Sequence, residues 1–237
     1  MNGAHRFGSA GRIRYLFLEA ERVFTGIIEH LGTIKTLSLD EQGGRMTIEA
    51  PTLAASLAVS ASIAVNGCCL TIVACDKKSF SADLSPETLN KTTFPSLNEG
   101  DRVNLERPLT AGKEFGGHFV LGHIDGTGTV VAMDPEGDSW RYSVRVPPEL
   151  AKYVVPKGSI TIDGVSLTVA HWENRVAEIA VIPFTFEHTN ISDRKRGDLV
   201  NLEGDVLGKY VERYVQPRNE KPESESLTLR NLIAQGF

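Results

Sequence analysis

Cysteine is scarce, with three in 237 residues, at positions 68, 69 and 75, and no Cys-x-x-Cys or His-x-x-x-His accompanies them. Such spacing makes neither a disulfide framework nor a zinc site, because adjacent cysteines seldom ligate one metal together. No apolar run approaches the ~18 residues that a membrane span requires. Positive charge is not in excess: the formal net charge of -5 argues against general nucleic-acid affinity. The glycines between Gly122 and Gly128 lack a G-x-G-x-x-G leading into a helix, and no Walker motif occurs, so nucleotide-phosphate binding is unsupported. With 41% hydrophobic and 23% charged residues, the composition is that of an ordinary soluble globular protein. The expected compartment is a reducing cytoplasm and the expected partner a small molecule, with neither membrane nor nucleic acid.

What the chain does have is an internal duplication. Asn66-Gly67-Cys68-Cys69-Leu70-Thr71 returns as Asp163-Gly164-Val165-Ser166-Leu167-Thr168, 97 residues on. Ser62, Pro86, Thr88 and Thr92 return by the same shift as Ser159, Pro183, Thr185 and Thr189, and the stretch Gly100 to Glu106 as Gly197 to Glu203. At a shift of 96, Gly26, Ile28, Gly32 and Thr33 meet Gly122, Ile124, Gly128 and Thr129. Asn-Gly and Asp-Gly favour a tight turn with positive φ, so each hexapeptide runs from a turn into a strand. Strand alternation then places Cys69 and Thr71 on one face with Ser166 and Thr168, and Cys68 and Leu70 on the other with Val165 and Leu167. Cys68, in the place of a valine, reads as core; Cys69, in the place of a serine, reads as a polar, chemically usable position.

Each copy is predicted to contain about six short strands separated by turn signals, the pattern of an antiparallel sandwich or barrel. In the first copy they fall at 24 to 37, 45 to 50, 61 to 66, 68 to 75, 79 to 85 and 101 to 107, with helical turns near Leu53 to Leu57 and after Pro86. In the second, Pro147-Pro148 opens a short helix. The units are 24–109 and 120–207, with 110–119, including the glycine-rich Ala111 to His118, as a linker outside the repeat register. Val206 to Val215 has helical spacing and is stopped by Pro217, and 208–237 is assigned to the C-terminal helix and tail. Residues 1–22 match nothing in the repeat and are expected to be a disordered leader or a misassigned start, with Val23 read from an alternative start codon.

Phe24-Thr25-Gly26-Ile27-Ile28, the two hexapeptides, Gly116-Gly117-His118 and Gly122-His123-Ile124 stand in one order on this duplicated frame. Together they resemble riboflavin synthase of the alpha-chain type, from about Phe24 to the C-terminus. The resemblance implies an all-β fold of two tandem six-stranded antiparallel Greek-key barrels with a C-terminal α-helix through which three chains form a homotrimer. It implies dismutation of two 6,7-dimethyl-8-ribityllumazine molecules, with no cofactor or metal, at a site between the first barrel of one chain and the second barrel of its neighbour. Association with lumazine synthase is a further expectation of this family.

Carried over by the resemblance, the first-barrel site comprises Gly26, Ile27, Ile28, Ser62, Cys69, Leu70, Thr71, Asp83, Leu84, Ser85, Pro86, Glu87 and Thr88. The second comprises Gly122, His123, Ile124, Lys157, Ser166, Leu167, Thr168, Ala180, Val181, Ile182, Pro183, Phe184 and Thr185. Phe184 and Phe186 depart from the smaller or polar residues the family more often carries around that threonine. Cys69, Ser166, His118 and His123 are the catalytic candidates: a thiol for addition to the acceptor ring, and histidines for proton transfer. The plainer readings are a small buried thiol, a hydrogen-bonding strand serine and a pair of loop histidines. For Ser166 positioning leads over covalent chemistry, since no histidine and aspartate stand near it in sequence to form a triad. A non-catalytic carrier of lumazine or flavin is the rival function.

Overall fold

The computed structural model describes residues 22–40 and 42–215. The leader to residue 21 and the tail from residue 216 lie outside the described residues, as do the expectations placed on them. The first copy forms β1 (His30–Asp40), β2 (Gly43–Glu49), β3 (Ser62–Val65), β4 (Cys68–Cys75), β5 (Ser79–Leu84) and β6 (Arg102–Glu106), with α1 (Pro86–Lys91) after β5. These strands close into an antiparallel barrel in the order β1-β2-β5-β4-β3-β6. The order is that of a Greek key, because β2 pairs with β5 and β6 returns to lie beside β1. Its core is aliphatic and aromatic, with Ile34, Met46, Ile48, Ile63, Ile72 and Phe80 each at most 1% exposed.

The second copy contributes β7 (Gly126–Glu136), β8 (Ser139–Arg145), β9 (Ser159–Ile162), β10 (Val165–Thr168), β11 (His171–Glu173), β12 (Val176–Val181) and β13 (Leu199–Gly204), with α2 (Pro148–Ala151) and α3 (Pro183–His188). Here the sheet counts seven strands, ordered β10-β9-β13-β7-β8-β12-β11, because the counterpart of β4 is split into β10 and β11. The physical reason is a bulge. β4 shifts register between Ile72 and Ala74 and continues, whereas at the equivalent Val169 and Ala170 the strand is interrupted and resumes as β11. A final helix, α4 (Val206–Val215), matches the predicted span, and its Leu207, Tyr210, Val211 and Tyr214 are exposed.

The two Asx-Gly turns explain their own sequence. Asn66 and Asp163 have φ of 43° and 46° and their glycines 80° and 82°, the two-residue turn that joins β3 to β4 and β9 to β10. Each Asx side chain accepts the amide of an asparagine on the last strand of its own barrel: Asn104 N–H donates to Asn66 at 2.8 Å and Asn201 N–H to Asp163 at 2.9 Å. Those asparagines then cross to the other barrel, Asn104 Nδ2 donating to Asp163 O and Asn201 Nδ2 to Asn66 O. The turns meet back to back, so a Cβ on Gly67 would lie 2.8 Å from Gly164 N. The repeated Asn-Leu-Glu motif is therefore a seam between barrels. One charge breaks its symmetry: buried Asp163 is paired with Arg194 at 2.6 Å, where the first copy has neutral Asn66 and Leu97.

Candidate active site

The expected first strand, 24 to 37, is shorter in the fold, and the residues it loses build the site. Phe24 and Val120 pair as an isolated antiparallel bridge, Phe24 N–H donating to Val120 O at 2.7 Å and Val120 N–H to Phe24 O at 3.1 Å. The lead-in segments of the two copies cross there, and each turns onto the opposite barrel. Gly26, at φ 76°, accepts the Ser166 amide through its carbonyl at 2.8 Å, and Gly122, at φ 78°, accepts the Cys69 amide at 2.9 Å. Ile28 packs against the second core and Ile124 against the first. The sequence reading grouped Gly26, Ile27 and Ile28 with Cys69, and Gly122, His123 and Ile124 with Ser166. The fold exchanges these groups. Only glycine permits the approach, since a Cβ on Gly26 would lie 2.6 Å from Ser166 Cβ and one on Gly122 2.6 Å from Cys69 Cβ.

A buried glutamate holds each segment in place of a ladder partner. Glu106 accepts the Thr25 and Gly26 amides at 2.7 and 2.9 Å, and Glu203 those of Leu121 and Gly122 at 2.7 and 3.0 Å. Burial pushes Glu203 up to about 7 against these bonds. Sequence reasoning noted both glutamates as repeat landmarks and gave them no role; their return at the same shift was the available signal.

Beside Cys69 lies a cleft of about 450 Å3 that gathers Ser85, Glu87, Thr88, Gly122, His123 and Ile124, adding Cys68, Lys91 and Thr92 to its walls. Ser85 caps α1 by accepting the Thr88 amide at 3.1 Å. Strand alternation is as expected: Cys68 and Leu70 are buried, Cys69 is half-buried and Thr71 exposed. Burial pushes the Cys68 thiol up to about 12, which leaves it without thiolate at neutral pH. Ser62, Leu70, Thr71, Asp83, Leu84 and Pro86 do not line this cleft. Leu70 and Leu84 belong to the core, and exposed Asp83 is engaged by Arg45 at 2.6 Å.

On the other side, Ser166 has the histidine that sequence proximity did not offer. The linker brings His118 beside it, with Nδ1 2.7 Å from Ser166 Oγ and Nε2 3.1 Å from Thr161 Oγ1. Burial lowers the pKa of His118. A neutral imidazole has one N–H and one lone pair, so it can accept the Ser166 hydroxyl at Nδ1 while donating to Thr161 at Nε2. Thr161 faces Ser166 across the β9–β10 ladder, whereas Ala64 faces Cys69. Leu167 is core, Lys157 is exposed in a left-handed turn at φ 66°, and Thr168 is exposed. Of the segment Ala180 to Thr185, Val181 is buried, Pro183 and Thr185 are half-buried and Ala180, Ile182 and Phe184 are exposed. Phe184 stacks on His188 and Phe186 on Trp140, with ring centroids 4.1 and 3.8 Å apart. Among the described residues no cluster of His, Cys, Asp or Glu is placed to hold a metal.

A half-buried thiol in one copy and a serine with a histidine in the other, each under a glycine of the opposite copy, define a duplicated ligand-binding barrel protein. The lumazine binding domain family matches residues 25–108 and 121–205. Riboflavin synthases from Actinobacillus pleuropneumoniae and Bacillus subtilis (strain 168) are each 39% identical over 215 residues, 91% of this chain and 100% of theirs. That from Mycobacterium bovis is 42% identical over 199 residues, 82% of this chain and 98% of its own. Solved structures of LumP complexed with 6,7-dimethyl-8-(1'-D-ribityl) lumazine and with riboflavin superpose with TM-scores of 0.70 and 0.72. They are 28% identical and cover 76% of this chain and 98% of theirs. The chain belongs to the riboflavin synthase family of proteins with two lumazine-binding domains.

Proposed function

We propose that this protein is a transferase that converts two molecules of 6,7-dimethyl-8-ribityllumazine into riboflavin and 5-amino-6-(D-ribitylamino)uracil, one lumazine giving a four-carbon unit to the other. The observation that carries the reading is the pair of inequivalent polar half-sites, Cys69 with His123 and Ser166 with His118, on equivalent strands. A dismutation gives identical substrates different fates, which suits two binding sites alike in frame and different in chemistry. Holding two reactants in near-attack geometry is worth ~7–11 kcal/mol. In this reading the exposed apolar side chains of α4 carry subunit association in a homotrimer. The Cys69 half-site of one chain then faces the Ser166 half-site of its neighbour.

The groups present fit the proton inventory of the reaction. Neutral His118 is placed to take the Ser166 hydroxyl proton and so sharpen that oxygen, or a water beside it, for addition to the electrophilic ring carbon of the acceptor. His123, on the wall of the Cys69 cleft, is placed to receive the methyl proton that the donor must release. A second reading, a carrier without turnover, is favoured by the LumP structures complexed with the same lumazine and with riboflavin. Incubating the purified protein with 6,7-dimethyl-8-ribityllumazine separates the two. Riboflavin formation at catalytic protein concentration is expected, and stable binding with no conversion would replace the enzyme with the carrier. Cytoplasmic location and association with lumazine synthase follow in the same reading; no described helix is long and apolar enough to cross a membrane.

A further inference from the structure

The repeat extends further than the barrels. Gly112-Lys113, in the segment expected to have no counterpart, and Gly208-Lys209, in α4, lie 96 residues apart, as do Glu29 and Asp125. Lys113 Nζ is 2.5 Å from Glu29 and Lys209 Nζ 2.6 Å from Asp125. Each of these carboxylates closes a crossing segment: Glu29 follows Gly26-Ile27-Ile28, and Asp125 follows Gly122-His123-Ile124. The buried glutamates Glu106 and Glu203 hold the other ends. Both half-sites are therefore lids of three residues braced at each side.

The braces differ in what stands behind them. Glu29 also accepts Arg107 Nε at 2.9 Å, so its barrel supplies a second cation. Asp125 accepts the Gly204 amide at 2.9 Å, and its cation comes from α4. Lys209 bonds Asp125, and its charge also favours ionisation of Glu203, which the Asp125 charge opposes. A cation on a partly buried carboxylate is screened less than one at the surface, and removing it leaves Asp125 holding the Gly204 amide without that counter-charge. Lys209 shares its helix with the exposed apolar residues Leu207, Tyr210 and Val211.

We propose that Lys209 is a positioning residue that couples the seating of α4 to the Cys69 half-site. α4 fixes Lys209, Lys209 fixes Asp125, and Asp125 sets Gly122 and His123 over Cys69. The effect on turnover rests on the lumazine reaction proposed above; the effect on the lid does not. In this arrangement subunit association is felt at His123 although neither α4 nor Lys209 lines the cleft.

The test uses the full chain and the variants Lys209→Met, Lys209→Arg and Lys113→Met. The first readout is independent of turnover: the alkylation rate of Cys69 by iodoacetamide, followed by peptide mass. Lys209→Met should raise that rate about fivefold by loosening the lid, Lys209→Arg should restore it, and Lys113→Met should leave it unchanged. The second is conversion of 6,7-dimethyl-8-ribityllumazine, where Lys209→Met should lower kcat about tenfold with a much smaller change in KM. Solution mass and melting temperature confirm that the compared variants are assembled and folded. Unchanged Cys69 alkylation in folded Lys209→Met, or an equal rise in Lys113→Met, overturns the coupling. A native protein that makes no riboflavin would instead overturn the proposed reaction and leave the alkylation result to decide the brace.

Discussion

Replacing Gly122 with alanine tests the crossing of the lead-in segments directly. A Cβ there would stand 2.6 Å from Cys69 Cβ, 3.0 Å from Cys69 N and 3.1 Å from Phe24 Cε2, on a backbone at φ 78°. The left-handed conformation costs a residue with a Cβ about 1–2 kcal/mol. Overlap with a strand backbone and buried rings that cannot rotate away adds about 1–3 kcal/mol. Separating the segment from β4 also weakens the Cys69 N–H bond to Gly122 O, worth about 1 kcal/mol. Gly137, at φ 62° and with nothing within 4 Å of the place a Cβ would take, is the internal control, because its alanine variant meets only the conformational cost. Beyond that control, Gly122→Ala should lose about 2–4 kcal/mol, which at about 2–4 °C per kcal/mol lowers the melting midpoint roughly 4–16 °C further. Calorimetry on both variants measures it, and lumazine binding should weaken only in Gly122→Ala. Equal midpoints would mean that Gly122 does not lie against Cys69.

Cys69→Ala should reduce riboflavin formation far more than Cys68→Ala, whose loss of a buried sulfur should show as a stability decrease of about 1–2 kcal/mol; equal activity losses in two folded variants would refute the face assignment. Arg194→Met should destabilise the protein by about 3–5 kcal/mol, because it strands the Asp163 carboxylate in the inter-barrel seam, and denaturation with little change would show that the seam does not depend on that charge. Burial raises Glu203 from 4.5 to about 7, so its ionised form is disfavoured in the fold: its contribution is full below about 4.5 and is lost as pH rises toward about 7. The loss is roughly 3 kcal/mol. Glu203→Gln should therefore flatten the decline in melting temperature between pH 5 and pH 8, and identical slopes would contradict the shift.

The duplication, the Asx-Gly turns and the period of two along the hexapeptides determined a great deal without coordinates. They separated Cys68 from Cys69, because alternation along a strand is local and a valine or serine in the other copy labels each face. A proline at the start located α1 and α2, and an apolar spacing within one short stretch located α4. Which copy's glycine covers Cys69 and which covers Ser166 was not legible. The exchange depends on a bridge between Phe24 and Val120, 96 residues apart, and on buried glutamates that replace ladder bonds, and a repeat aligned with itself is equally consistent with crossed and uncrossed segments. The pairing of Ser166 with His118 across 48 positions belongs to the same class, since only the path of the linker brings the imidazole to the strand. The interrupted strand at Val169 and Ala170 was hidden too, because a bulge is a matter of register between strands and leaves little trace in either alone. Composition and periodicity thus fixed what each residue faces within its own element, while the tertiary structure decided which elements face each other, and it is at those meetings that the half-sites are made.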